Sequence, residues 1–167
     1  MEEKTVRNLY TAFVGEAKAY FRLLAYAAKA EEEELPQVAA LFRAVAEAEG
    51  VHARRNLQLL GEVVVQDSET NLQASFEREE RASGVFYPQF IQDAEEEGNR
   101  KAVTSFSHSR DVEEGHAALY KRALQHLVVD TSPSYHVCQV CGYVAEGHAP
   151  EQCPVCGVSR ERFKQVH

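Results

Sequence analysis

The sequence predicts a mostly helical protein: a four-helix bundle over residues 1–129, followed by a small β-rich metal-knuckle domain over 130–167. Three observations carry this expectation. Residues 2 to about 127 are rich in Ala, Leu, Glu, Lys, Arg and Gln and poor in Gly and Pro, the composition of long helices. Apolar residues in that stretch recur at alternating steps of four and three. From Val128 onward the text turns to short β-leaning runs, turn residues and cysteines, with Asp130-Thr-Ser-Pro-Ser134 as the linker.

Breaks at Glu34-Leu35-Pro36, Gly61 to Ser68 and Glu97-Gly98-Asn99 divide the helical part into four segments. Each is about 25 to 30 residues, or roughly 40 Å of helix. The first segment carries the inward stripe Leu9, Phe13, Glu16, Tyr20, Leu23, Ala27, and the second carries Val38, Phe42, Val45, Glu49, His52, Asn56, Leu59. The third runs Leu72, Phe76, Glu79, Ser83, Phe86, Phe90, with Pro88 expected to kink it because the ring removes a backbone donor. The fourth runs Val103, Phe106, Arg110, Glu113, His116 or Ala117, Tyr120, Ala123 or Leu124, Leu127.

Each stripe contains one glutamate where an apolar residue belongs. Glu49 lies 33 residues after Glu16 and Glu113 lies 34 after Glu79; each later glutamate opens a Glu-x-x-His, and Phe42 and Phe106 stand seven residues before them. This is a duplicated helix pair. One Glu-x-x-His means little in a chain this rich in glutamate. Four carboxylates and two imidazoles on inward stripes mean more, because buried charge needs a counter-charge. Residues at i and i+3 share a helix face, so Glu49 with His52 and Glu113 with His116 can each offer one oxygen and one nitrogen to the same interior point. Two such pairs, with one glutamate from each remaining helix, form the ligand set of ferritin-like di-iron and di-manganese proteins. The bland alternative is a solvated charge face or a set of core salt bridges. The runs Glu31–Glu34 and Glu95–Glu97 do read as solvated helix ends.

All four cysteines fall in two knuckles, Cys138-Gln-Val-Cys141-Gly and Cys153-Pro-Val-Cys156-Gly, with eleven residues between Cys141 and Cys153. Their confinement to one short segment suits a tetrathiolate metal site better than a disulfide framework. Zinc and iron both accept tetrahedral thiolates, so spacing leaves a structural zinc ribbon open. Attachment to a redox-capable bundle favours iron.

With 167 residues and a net charge of −8, the chain can bury a core but would be repelled by nucleic acid or an anionic membrane, so neither is expected as a partner. The start, MEEKTVRNLY, has neither a basic n-region nor an apolar h-region, and the expectation is a cytoplasmic protein.

Phe13-Val-Gly-Glu16, Ala46-Glu-Ala-Glu49-Gly-Val-His52-Ala, Asn71-Leu-Gln, Tyr87-Pro88, Glu113-x-x-His116 and Cys153-Pro-Val-Cys156-Gly together closely resemble the rubrerythrins, and the likeness spans nearly the whole chain. The resemblance implies a ferritin-like bundle with a rubredoxin-like domain. It also implies reduction of hydrogen peroxide to water as an oxidative stress defence, with electrons ultimately from NAD(P)H through an external redox protein. Carried over by position, Glu16, Glu49, His52, Glu79, Glu113 and His116 match the ligands of two iron ions, and Cys138, Cys141, Cys153 and Cys156 match those of a third. Tyr87 matches a tyrosine beside the site.

Two positions depart from the family pattern. A further carboxylate usual three residues after the third-helix ligand is Ala82 here, and a tyrosine seven residues after the first ligand is Leu23. Glu77 and Glu80 lie off the stripe and do not restore the missing ligand. The minimal four-glutamate, two-histidine set leaves His52 bound in both redox states as an expectation. It also keeps two rivals open: a ferroxidase or dioxygen-reducing oxidase, and an iron-buffering protein with zinc in its knuckles.

Ferritin-like bundles need a long crossover between the second and third helices, yet Gly61 to Ser68 spans only about 27 Å when extended, against roughly 37 Å of helix to traverse. A homodimer exchanging helix pairs is therefore expected.

Overall fold

The structure is a computed structural model that describes residues 1–125 and 134–166. The linker Asp130–Pro133, the domain boundary at 129/130 and the stripe residue Leu127 lie outside the described residues. The chain forms two compact units, Met1–Gln66 and Asp67–His167.

The first unit is a helical hairpin of α1 (Glu3–Glu32) and α2 (Pro36–Leu60), turned through Glu34 at φ 58°. Pro36 stands in the first turn of α2, where its missing N–H costs nothing. Along α1 the predicted stripe from Leu9 to Ala27 is part-buried or buried throughout. On α2 the most buried line is one of small residues, Ala39, Ala46, Gly50 and Ala53, ending at Leu60, while Val45, His52 and Leu59 from the expected stripe are exposed. Small side chains bring two helix axes close, so the seam against α1 falls on alanine and glycine. At Gly50 a Cβ would lie 3.2 Å from the Tyr20 ring, which fixes how closely the helices approach beside Glu49.

The second unit contains α3 (Ser68–Arg81), a π-helical turn (Ala82–Phe86), α4 (Tyr87–Glu96) and α5 (Arg100–Gln125), then a three-stranded antiparallel sheet. Asp67 caps α3, accepting from the Thr70 amide at 2.9 Å and the Thr70 hydroxyl at 2.7 Å. These two donors hold its carboxyl below the usual range. A depressed carboxyl contributes stability above its unfolded value, 3.8, which is lost as pH falls through the folded value. Asp67→Ala is accordingly expected to lower the thermal midpoint by about 3 °C at neutral pH, with a smaller gap below pH 3.8; paired melts at pH 7 and pH 3 check this.

The irregularity expected at Pro88 is the π-turn just before it, leaving Pro88 in the first turn of α4. A π-turn inserts one residue into the helical repeat. The predicted stripe therefore holds through Leu72, Phe76, Glu79 and Ser83, then steps forward by one: Phe86 and Phe90 are exposed, while Tyr87, Ile91 and Ala94 turn inward. Tyr87 packs against Phe90 at 5.8 Å and Phe106 at 6.3 Å between ring centroids.

The sheet has the order β2-β1-β3, from β1 (Tyr135–Cys138), β2 (Val144–Glu146) and β3 (Phe163–Val166). Tyr143 stacks edge-on against Phe163 of β3, with 6.5 Å between ring centroids. The fold is thus mostly helical with a small β-rich appendage, as the sequence predicts. No helix among the described residues is long and apolar enough to cross a membrane.

Candidate metal centres

Among the described residues, three groups of side chains offer convergent donors, and each is made of residues singled out from the sequence. In the α1–α2 hairpin, Glu16, Glu49 and His52 bring one donor atom each within 4.8 Å of one another. His52 Nδ1 lies 3.1 Å from Glu49 Oε2 and 4.0 Å from Glu16 Oε1. Glu16 and Glu49 lie side by side: hydrogen bonding with Glu49 raises the Glu16 carboxyl above its usual range, and hydrogen bonding with Glu16 and then His52 lowers that of Glu49.

In the second unit, Glu79 on α3 meets Glu113 and His116 on α5 in the same arrangement. His116 Nδ1 lies 2.9 Å from Glu113 Oε2, and its Nε2 lies 3.2 Å from the Gly142 carbonyl oxygen. Burial raises the Glu79 carboxyl, and the neighbouring Glu113 adds to the effect. The carboxylates were expected to be buried; instead they are half-buried, with Glu16 side-chain exposure at 33% and Glu113 at 22%. The Glu and His residues of each cluster sit on a two-helix surface, and two helices cannot enclose a polar group from all sides. Glu77 and Glu80 are exposed, as their off-stripe positions suggested. Ala82, at the missing seventh carboxylate, opens the π-turn and supplies no donor.

The third group is Cys138, Cys141, Cys153 and Cys156. Cys138 Sγ lies 3.7 Å from Cys156 Sγ, and Cys141 Sγ lies 3.6 Å from Cys153 Sγ. These separations exceed a disulfide bond and match the edge, about 3.8 Å, of a tetrahedron with metal–sulfur bonds of about 2.3 Å. The two knuckles repeat one design. Gly142 N–H donates to the Cys138 carbonyl at 3.0 Å and Gly157 N–H to the Cys153 carbonyl at 2.9 Å, with both glycines at positive φ, 86° and 74°. Burial works against ionising Cys138, but the Cys141 and Val140 amides aimed at its sulfur prevail and bring it down to about 7. Burial pushes the Cys141 and Cys156 thiols up. Such unequal neighbours at van der Waals contact become equivalent thiolates once one cation serves all four.

Fold and donor sets define the class: a ferritin-like carboxylate–histidine protein joined to a rubredoxin-like tetracysteine module. The rubrerythrin family model matches residues 7–124, and the model of the rubrerythrin rubredoxin-like domain matches residues 136–164. The chain belongs to the rubrerythrin family. Nigerythrin of Nitratidesulfovibrio vulgaris is 32% identical over 95% of this chain and 85% of its own length. A rubrerythrin of Porphyromonas gingivalis is 30% identical over 98% and 90%. Among solved structures, partially reduced nigerythrin superposes with a TM-score of 0.60 at 31% identity, covering 97% of this chain and 86% of that one. The all-ferrous form of nigerythrin gives 0.57 at 32%. The cofactors that fit are iron in both centres: carboxylates and imidazoles for a di-iron site, thiolates for a rubredoxin-like one.

Sequence reasoning missed one contact, that of His116 Nε2 with Gly142. The only signal available was the glycine at the end of the first knuckle, which marks a turn but not what its carbonyl faces.

Proposed function

We propose that this protein is a non-haem di-iron peroxidase that reduces hydrogen peroxide to water in the cytoplasm, with electrons relayed through its rubredoxin-like iron centre. The observation that carries the reading is the presence, in one chain, of two matched Glu–Glu–His clusters and a tetrathiolate knuckle. In this reading Glu16, Glu49, His52, Glu79, Glu113 and His116 hold two irons, and the four cysteines hold a third. Residues 1–129 form the ferritin-like domain and 130–167 the rubredoxin-like one.

When bound, an iron pair supplies a two-electron reductant with open positions for a small oxidant. The residues of the chain fix its geometry and charge. Four carboxylates offset the charge of two divalent ions, and the two imidazoles, each paired with a glutamate on its own helix, present nitrogen donors from fixed positions. Tyr87, its ring held by Phe90 and Phe106, is assigned the hydrogen-bond donor beside the reacting oxygen atoms. One hydrogen peroxide takes two electrons and two protons to give two waters. Iron held by Cys138, Cys141, Cys153 and Cys156 would supply a one-electron relay for electrons that come from NAD(P)H by way of an external redox protein.

Because protons compete with metal at Glu16 and Glu79, whose carboxyls are raised, divalent metal affinity at the helical clusters is expected to rise as pH climbs past the ordinary value of 4.5. An anaerobic Co²⁺ titration between pH 4.5 and 7.5 checks this, with flat affinity as the contrary result.

The assembly in this reading is a homodimer that exchanges helix pairs. Each site draws Glu16, Glu49 and His52 from one chain and Glu79, Glu113 and His116 of the partner subunit. The exposure of Phe21 at 72%, Leu41 at 61% and Leu59 at 60% supports it, since a second copy would cover apolar surface of this kind.

Ala82 favours one second reading, a ferroxidase or dioxygen-reducing oxidase, because the seventh carboxylate is missing. Single-turnover oxidation of the fully reduced protein separates the two. Peroxide is expected to oxidise the iron pair faster than dioxygen at equal concentration; faster oxidation by dioxygen would overturn the peroxidase reading, and no oxidation by either would leave an iron-buffering role.

A further inference from the structure

We propose that the cysteine knuckles are a second peroxide-reactive site: in excess hydrogen peroxide part-exposed Cys141 and Cys156 are oxidised, buried Cys153 and Cys138 capture them as disulfides, and the knuckles give up their metal. This goes beyond peroxide reduction at the helical clusters and does not depend on iron being held there.

The four sulfurs differ in how solvent reaches them. Cys138 and Cys153 are buried, at 1% and 3% exposure, whereas Cys141 and Cys156 are part-exposed. The residues beside the latter two leave them open. Val140, next to Cys141, is 52% exposed, and a Cβ on Gly157, next to Cys156, would meet no other group within 4 Å. A small oxidant in solution therefore reaches Cys141 and Cys156 first.

Each accessible sulfur touches a buried one from the other knuckle. Cys141 Sγ is 3.6 Å from Cys153 Sγ, and Cys156 Sγ is 3.7 Å from Cys138 Sγ. The two contacts share no cysteine, so both can close in one chain. Four cysteines allow three pairings, and a Cys-x-x-Cys commonly closes on itself. The contacts favour pairing between knuckles instead, with the attacking sulfur and the resolving sulfur in different turns.

Peroxide itself is the oxidant. A sulfur lone pair of Cys141 attacks one peroxide oxygen, the O–O bond breaks, and the other oxygen leaves as hydroxide. The product is a sulfenic acid, its sulfur oxidised by two electrons. Cys153 Sγ then attacks that sulfur; the S–S bond forms as the S–O bond breaks, and a second hydroxide leaves. Both hydroxides take protons from solvent to become water. Cys156 and Cys138 react in the same way, so two peroxides give two disulfides and four waters. An oxidised sulfur no longer serves as a thiolate ligand, so the knuckle empties as the reaction proceeds. A thiol reductant restores all four ligands, whereas a sulfenic acid with no resolving partner goes on to sulfinic and sulfonic acids that thiols do not reduce.

The test uses the iron-loaded full chain, treated with excess hydrogen peroxide and a ferric chelator. The red colour is expected to bleach, and peptide mapping without reduction is expected to show the Cys141–Cys153 and Cys138–Cys156 disulfides. Dithiothreitol followed by ferrous iron is expected to return the colour. In Cys153→Ser, Cys141 loses its resolving partner, so dimedone is expected to trap it as the sulfenic acid while the Cys138–Cys156 disulfide still forms. Disulfides within a knuckle, sulfinic acid at Cys141 and Cys156 in place of disulfides, or colour that survives the treatment would overturn the proposal. If the variant fails to fold, mapping of the unaltered chain decides alone. Failure of catalytic peroxide turnover would sink the peroxidase reading and leave this mapping unaffected.

Discussion

Glu113→Ala is expected to empty the helical metal site and reduce peroxide turnover by about a thousandfold or more, while the red tetrathiolate absorption remains. The size follows from what is removed. Glu113 lies within hydrogen-bonding distance of His116 Nδ1 and shares the half-buried surface with Glu79, so its loss takes away an oxygen donor and part of the negative charge a cation pair needs. A metal that stabilises developing charge supplies several kcal/mol, and about 4 kcal/mol is a thousandfold in rate. Glu114→Ala, one residue along, is the control: Glu114 is exposed, and its removal is expected to leave turnover and iron content unchanged. Iron analysis, the visible spectrum and steady-state turnover of the two variants give the comparison.

The second large effect is expected for Cys153→Ser. Cys153 is 3% exposed, its amide is bonded to the Val158 carbonyl at 2.8 Å, and its sulfur lies 3.6 Å from that of Cys141. A serine hydroxyl is a poor replacement for a thiolate, and the centre's iron and red colour are expected to be lost. Turnover supported by an external reductase is then expected to fall on the order of a hundredfold, since the one-electron relay has gone. The first turnover behaves differently. At saturating iron, the chemically reduced variant is expected to be oxidised by a single equivalent of peroxide within a few-fold of the unaltered rate. A first turnover that slows as much as the steady state would mean that the knuckle acts on the oxidant rather than as a relay.

Much of this is legible in the residues, and the parts that are not share a physical reason. The glutamates at 16, 49, 79 and 113 stand out because a carboxylate on an apolar stripe demands compensation, and the 33- and 34-residue spacing ties them into one repeat. The cysteine knuckles stand out because two Cys-x-x-Cys-Gly turns have few other uses. Hydropathy patterning weights large side chains, so it points to Val45 and Leu59 on α2 and overlooks the alanine and glycine seam where close packing occurs. It also assumes an unbroken helical repeat, so it follows α3 correctly to Ser83 and then fails by one residue across the π-turn, inward-facing Tyr87 taking the place of Phe86. The Gly142 contact involves a backbone carbonyl, and nothing in a side-chain alphabet encodes where a carbonyl points. The opposite shifts of the Glu16 and Glu49 carboxyls depend on a separation that only the folded hairpin sets.

The most direct measurement is the iron content of the anaerobically reconstituted full chain, taken together with its Mössbauer spectrum. Three irons per chain are expected: one high-spin tetrathiolate iron, and two in oxygen and nitrogen coordination that couple antiferromagnetically when oxidised. One iron per chain, in sulfur coordination alone, would contradict the assignment of Glu16, Glu49, His52, Glu79, Glu113 and His116 as a di-iron site.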